Sequence, residues 1–205
     1  MNTPYGIRHH ALLYALIVKY IFLYEDNDPE ETVRNFTMAY GIKRGQRMRR
    51  LALENNEPLD ISTFLVHGEW TAQKDENSSV LSSDSDSTYS TVHKCAWFDC
   101  WKKYGLLEYG THYCRYIDKA ICDGFDGDFS LDLEKAIGFG DKRCEFRWNR
   151  KYDESYLDSH PKKWILPFEF HCQELRETAY EVLDEKIRDK ILDQADEQFR
   201  KIFNI

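Results

Sequence analysis

Two glycines four residues apart, Gly41 and Gly45, lie inside a segment from about Pro29 to Asn55 whose apolar residues Val33, Phe36, Tyr40, Met48 and Leu51 recur at helical spacing. Each interior glycine costs a helix about 1 kcal/mol against alanine, because it surrenders more backbone freedom and contributes no side-chain packing. A helix that keeps two of them needs a close backbone contact or a kink in compensation. The helix start is otherwise favourable: Asp28 suits an N-cap and Pro29 the first helical position.

A second helix carries an equally odd face. In "EYGTHYCRYIDKAICDGF", residues 108 to 125, Cys114 and Asp118 are four apart and so stack on one side, with Gly110 one turn earlier. Ile117 and Ile121 flank this column as core residues. A packed interior would place leucine or alanine there. The column predicts that something approaches the backbone closely and meets polar groups. The helix is expected over about 106–122, with Gly124 ending it.

The rest of the chain reads as follows. Leu12, Leu13, Leu16, Ile17, Tyr20 and Leu23 mark a core helix over 7–24. "LDISTFLVHGEW" suits a short helix ending near Gly68. The Ser/Asp-rich stretch after it is a solvated loop or an edge hairpin whose serines offer phosphorylation sites. A strand ends near Lys94, and a short helix covers roughly 96–104. "FSLDLEKAIGF" and "KRCEFRWN" read as two strands around a Gly140–Asp141 turn, with Cys144, Phe146 and Trp148 on one face. Residues 151–168 are irregular, with Pro161 and Pro167. From Phe170 to Phe203 one long amphipathic helix or two is expected: Leu175, Ala179, Leu183, Ile187, Ile191, Ala195 and Phe199 step by four. That stripe can pack on the body or on a second copy, as a homodimer. The order defines an α+β fold in which N-terminal helices pack with an antiparallel sheet and a long C-terminal helix. Residues 1–168 make the main domain, and 169–205 a helical extension of it.

Composition narrows the function classes. The chain has 205 residues and a net charge of -8, from 28 basic and 36 acidic side chains, which argues against nucleic acid and anionic membranes as partners. The cluster "KRGQRMRR" at 43–50 runs against that average. No stretch reaches the ~18 apolar residues of a membrane span. The apolar N-terminal run is broken by Tyr14, Lys19 and Tyr20, with no small-residue cleavage site after it, so it is expected to be a core helix rather than an export signal. The six cysteines contain no CxxC pair and are expected to be reduced, as in the cytoplasm.

Four motifs together carry a resemblance: "GIKRGQRM", "GEW", "CAWFDCWKKYGLLEYGTHYCRYIDKAICDGF" and "GDKRCEFRW". Over residues 11–150 the chain resembles the L-2-amino-thiazoline-4-carboxylic acid hydrolase family. The resemblance implies a small-molecule pocket and hydrolysis of a cyclic, amidine-like C=N ring, opening a thiazoline to an N-carbamoyl cysteine. The later part of that region is also similar to the 4-vinyl reductase domain, in which a helix ending in glycine precedes two strands and "GDxxCxF". That relative uses a cysteine eight residues before the last one to help hold zinc. Here the position is Ala136, while Cys144 is kept.

Ring opening of this kind needs an acid for the ring nitrogen or sulfur, a base for water or a nucleophile, a cation for the substrate carboxylate, and donors for developing charge. Asp118, among apolar helix neighbours, is the candidate acid or base; the alternative is a buried aspartate bonded to a backbone donor or an arginine. Cys114 is the candidate nucleophile, or else a small buried hydrophobe. His112 points elsewhere on the helix. His93 and Cys95, two apart, share a strand face and form a second candidate pair. Arg44 and Arg47 suit a substrate carboxylate, which guanidinium binds bidentately, or form a solvated helix face. Glu69 is a second carboxylate. Gly110, Trp70, Trp97 and Tyr113 would line the pocket, while Cys100, Cys122 and Cys172 are structural. No cofactor is expected; convergence of Cys95, Cys114 and Cys144 with Asp118 or His93 on a metal is the minor alternative. Two other functions compete with catalysis. One is non-catalytic small-molecule binding, as sensor or carrier. The other is an interaction module built on the C-terminal helix.

Overall fold

The computed structural model describes residues 5–162 and 164–205. They form an α+β fold of eight helices and a four-stranded antiparallel sheet, in two compact units.

The first unit comprises Met1–Tyr40, Ala96–Tyr116 and Pro167–Ile205. Its centre is α1 (Ile7–Tyr24), from which Leu12, Leu13, Tyr14, Leu16, Ile17 and Ile21 are fully buried. Being apolar on nearly every side, α1 has to be covered all round. The covering helices are α4 (Ala96–Tyr104), α7 (Phe168–Val182) and α8 (Glu185–Phe203). The C-terminal stripe therefore belongs to two helices. Asp184 accepts from the Lys186 backbone N–H and starts α8, and the two helices pack on each other, tied by Arg176 to Asp196 at 2.7 Å. Leu175, Ala179, Ile191, Ala195 and Phe199 are buried in this chain. Pairing with a second copy through the same stripe would have to uncover α1.

The second unit comprises Gly41–Cys95 and Ile117–Leu166. It contains the later part of α2 (Pro29–Glu54), α3 (Ile61–Val66), β1 (Ser78–Ser83), β2 (Thr88–Lys94), the later part of α5 (Leu107–Phe125), β3 (Leu131–Lys135), β4 (Cys144–Trp148) and α6 (Glu154–Ser159). The sheet order is β1-β2-β4-β3, all antiparallel. Thr88 of β2 and Leu131 of β3 both pair with Trp148, the last residue of the internal strand β4, and Trp148 is buried. The Ser/Asp-rich stretch is the edge hairpin. All six residues of β1 are exposed, and Asp84 closes the turn by accepting from the Asp86 and Ser87 backbone N–H groups and from the Tyr89 hydroxyl.

The two glycines of α2 are explained by contact. A Cβ on Gly45 would lie 2.1 Å from the Ile121 carbonyl oxygen and 2.5 Å from the Phe125 nitrogen, and one on Gly41 would lie 2.6 Å from the Ala120 Cβ. Gly124 returns the contact, since a Cβ there would meet the Ile42 carbonyl at 2.3 Å. Within this unit the backbones of α2 and α5 touch directly. Gly124 consequently does not end α5, contrary to the sequence expectation. The helix runs on to Phe125, and Asp126 takes the left-handed turn at φ 53°. The glycine is needed for proximity to α2 rather than for a terminal turn. Residues 151–168 are also less irregular than expected: Asp153 caps α6 by accepting from the Ser155 and Tyr156 N–H groups.

Candidate functional site

In the second unit the "KRGQRM" arginines and the "GEW" glutamate find each other. Arg44 and Arg47 lie three apart on α2, so both point to one side of it. Arg44 Nε donates to Glu69 Oε2 at 2.9 Å, while Arg47 donates from Nε to Oε1 at 2.5 Å and from Nη2 to Oε2 at 3.2 Å. Glu69 is 0% exposed and Arg44 5%. The Glu69 backbone is tied down as well, its carbonyl accepting from Leu166 N–H at 2.8 Å. Burial pushes the Glu69 carboxyl up, but the two guanidiniums outweigh it and hold the group below the usual range. Glu69 is therefore an ionised counter-ion sealed in the interior.

Asp118, on α5, feels the charge of Arg44. The close approach of Gly41 and Gly45 to Ile117 and Ile121 brings the flank of α2 that carries Arg44 near the flank of α5 that carries Asp118. Among the described residues, no hydrogen-bond donor reaches the Asp118 carboxyl. Its side chain is set deep in the protein yet keeps part of its surface open. Burial raises its pKa to about 6, against the opposing charge of Arg44. The thiols of Cys122 and Cys144 lie near enough to feel Asp118. Burial, helped by that negative charge, pushes Cys144 up and Cys122 up to about 12. Both stay protonated at neutral pH. Cys100 and Cys172 are likewise pushed by burial to about 12. None of these four is an activated nucleophile.

In the first unit the predicted pocket-lining residues form an aromatic cluster. Tyr113 meets Tyr14 edge-on at 4.9 Å between ring centroids and stacks with Trp97 at 6.5 Å. Cys114 is half-buried in the same unit, close enough that its charge would raise the pKa of Tyr14. What comes close to Gly110 is Trp101: a Cβ on Gly110 would sit 2.2 Å from the indole ring, which is fixed by its own N–H donating to the Ala11 carbonyl at 2.8 Å. At this position the expected close approach is made by a core side chain.

The cluster also holds a histidine that the sequence reading missed. Trp97 Nε1–H donates to His10 Nδ1 at 3.0 Å, and His10 Nε2 lies 3.0 Å from the Tyr40 hydroxyl. Indole is a donor only, so Nδ1 must be an acceptor. In its neutral form the ring then carries its proton on Nε2 and donates it to Tyr40. The available signal was the pair His9–His10 inside an otherwise apolar helix. Both are buried, and polar groups survive in such a stripe only when bonded.

The His93 and Cys95 pair is not assembled in the way the strand pattern implied. β2 ends at Lys94, so Cys95 lies beyond the alternation that would put the two on one face. His93 is exposed, and among the described residues it makes no hydrogen bond or ion pair; Cys95 is half-buried. Among the described residues there is also no group of three or more His, Cys, Asp or Glu placed to hold a metal ion. No helix in the described residues is long and apolar enough to cross a membrane.

The chain is a helix-rich α+β protein with a buried Arg–Glu–Arg triad in its second unit. Residues 5–148 match the family described as L-2-amino-thiazoline-4-carboxylic acid hydrolase, and the chain belongs to that family. Comparison with curated proteins and with solved structures returns no match.

Proposed function

We propose that this hydrolase-family protein opens the C=N-containing ring of a small cyclic amidine or thiazoline carboxylic acid, with Asp118 as the acid–base group. The observation that carries this reading is a carboxyl that no donor among the described residues bonds, raised by burial to about 6 within the field of Arg44 of the buried triad. A group with that pKa exchanges protons readily near neutral pH. In the reaction, the oxygen of water bonds to the ring carbon between nitrogen and sulfur. The C=N electron pair moves to the ring nitrogen, which takes a proton. Collapse of the adduct makes the carbonyl, breaks the carbon–sulfur bond and leaves the sulfur to be protonated as a thiol. Asp118 takes the proton of the attacking water and returns it to a leaving atom. The Arg44–Glu69–Arg47 triad supplies the positive field for the substrate carboxylate, with Glu69 as its fixed counter-ion.

Incubation of the purified protein with 2-aminothiazoline-4-carboxylate and related cyclic amidine acids tests this by the appearance of thiol. Thiol release by wild type that falls at least ~100-fold in Asp118→Asn is the expected result for loss of a general acid–base. Equal inertness of both on every ring acid would refute it. Binding without turnover would instead favour a non-catalytic sensor or carrier.

A further inference from the structure

The sheet of the second unit has two unlike faces. Paired residues on neighbouring strands share a face, and the faces alternate along each strand. One face carries Glu145, Arg147 and Asp132, as a solvent-facing surface should. On the other, Val92 pairs with Cys144, and the next row across the sheet holds Leu81, Phe146 and Leu133. One end of this apolar face is closed. Thr88, Leu131 and Trp148 are buried there, with Phe64 6.5 Å from Trp148 between ring centroids. The middle is not closed: Leu81 is 36% exposed, and Val92, Phe146 and Leu133 are half-buried. Asp118 reaches the same region. Its charge is felt by the Cys144 thiol, in the Val92 row, while Cys122, one turn further along α5, has the Trp148 indole as a neighbour. Helix α5 therefore sets Cys122 toward the closed end and Asp118 toward the open middle.

We propose that this part-open apolar face is the floor of the Asp118 site and receives an apolar arm of the ligand, so that the substrates are ring acids bearing an alkyl or aryl substituent rather than the bare ring. The inference rests on the reading of the site as one for small cyclic amidine acids. Two adjoining surfaces of different chemistry define the occupant. The Asp118 carboxyl, which no donor among the described residues bonds, complements the N–H groups of an amidine. Val92, Phe146 and Leu81 beside it offer no polar atom of their side chains to the rest of the molecule. A bare ring leaves most of that apolar surface in water, whereas an arm laid on it gains affinity in proportion to the area both remove from water. The edge hairpin thereby acquires a role, since Leu81 of β1 extends the floor beyond β2 and β4.

A pair of ligands that differ only in the arm tests this. The probes are 2-aminothiazole-4-carboxylate, whose aromatic ring resists hydrolysis, and its 5-phenyl derivative, titrated calorimetrically into the full-length protein. The phenyl compound should bind at least about tenfold more tightly, the scale of discrimination that small apolar groups produce in an apolar pocket. Phe146→Ser and Val92→Thr should each remove most of that ratio while leaving the affinity for the bare ring within about twofold. Both positions are half-buried, and Val92→Thr keeps the β-branched shape of its strand residue. Val80→Thr is the control: it pairs with Thr91 on the opposite face, is 57% exposed, and should leave the ratio unchanged. Equal or weaker binding of the phenyl compound overturns the apolar floor and leaves the site reading standing. A ratio that survives both floor variants, or falls equally in Val80→Thr, overturns these residues as the floor. A ligand-free dimer in sedimentation that Leu81→Ser dissociates would put a second copy on the face and overturn the proposal as well. Failure of wild type to bind either ring overturns both the proposal and the reading beneath it.

Discussion

Replacing Gly45 by alanine sets two effects of opposite sign against each other. On helix propensity alone, alanine should stabilise α2 by about 1 kcal/mol. The structure predicts the reverse. The new Cβ would lie 2.1 Å from the Ile121 carbonyl oxygen, 2.5 Å from the Phe125 nitrogen and 2.7 Å from the Gly124 carbonyl carbon. All three are backbone atoms, so no side chain can rotate out of the way. Ordinary contact begins at 3.4 Å, so the segments must separate by about 1.3 Å, the difference between 3.4 and 2.1. Overpacking of this kind costs typically 1–3 kcal/mol, and contact with backbone puts Gly45 at the upper end. After the propensity gain is subtracted, the expected loss is about 2 kcal/mol. That corresponds to a fall of roughly 4–8 °C in Tm for a chain of this length. Gly6→Ala is the control, since nothing lies within 4 Å of that position and its φ is -144°. Urea denaturation followed by far-UV circular dichroism gives both values. A Gly45→Ala protein as stable as wild type, or more so, would show that α2 and α5 do not touch there.

Two further predictions concern the charged groups. Glu69→Gln leaves two guanidiniums buried without their carboxylate, and breaking such a pair from one side costs about 3–5 kcal/mol; chemical denaturation should show that loss, and a change under 1 kcal/mol would mean that the triad is not formed in solution. Asp118→Asn should act the other way and depend on pH. The folded pKa, about 6, lies above the ordinary value of 3.8, so the stability this group contributes is fully present below about pH 4 and is lost as the pH rises through about 6. The variant should therefore match wild type near pH 4 and be more stable at pH 7.5, by up to about 3 kcal/mol for a shift of roughly two pH units. Tm values for both proteins at the two pH values check it; a variant destabilised at pH 7.5 would show that the ionised carboxyl is well satisfied in the fold.

Local chemistry by itself determined most of the elements. The helix over 7–24, the start at Pro29, the helix over 96–104 and the strand ending at Lys94 all stand where periodicity and caps place them. Those signals operate over one or two turns and need no partner. The sequence also identified Gly41, Gly45, Arg44, Arg47, Glu69 and Asp118 as residues needing explanation, because each is an unfavourable or unusual choice for its setting. The explanations came from elsewhere in the chain. That Gly124 serves proximity and not termination depends on the Ile42 carbonyl, 82 residues away in sequence, because 124 minus 42 is 82. That Gly110 answers to Trp101, that His10 is pinned by Trp97, and that the C-terminal stripe breaks at Asp184 to cover α1 are likewise matters of which surfaces meet. So is the pairing of both arginines with Glu69, which turned two presumed substrate cations and a spare carboxylate into one buried triad. A linear pattern shows that a side chain or a missing Cβ demands a partner. Only the packed chain decides which partner it is, because burial, charge neutralisation and close contact depend on distances that sequence spacing does not contain.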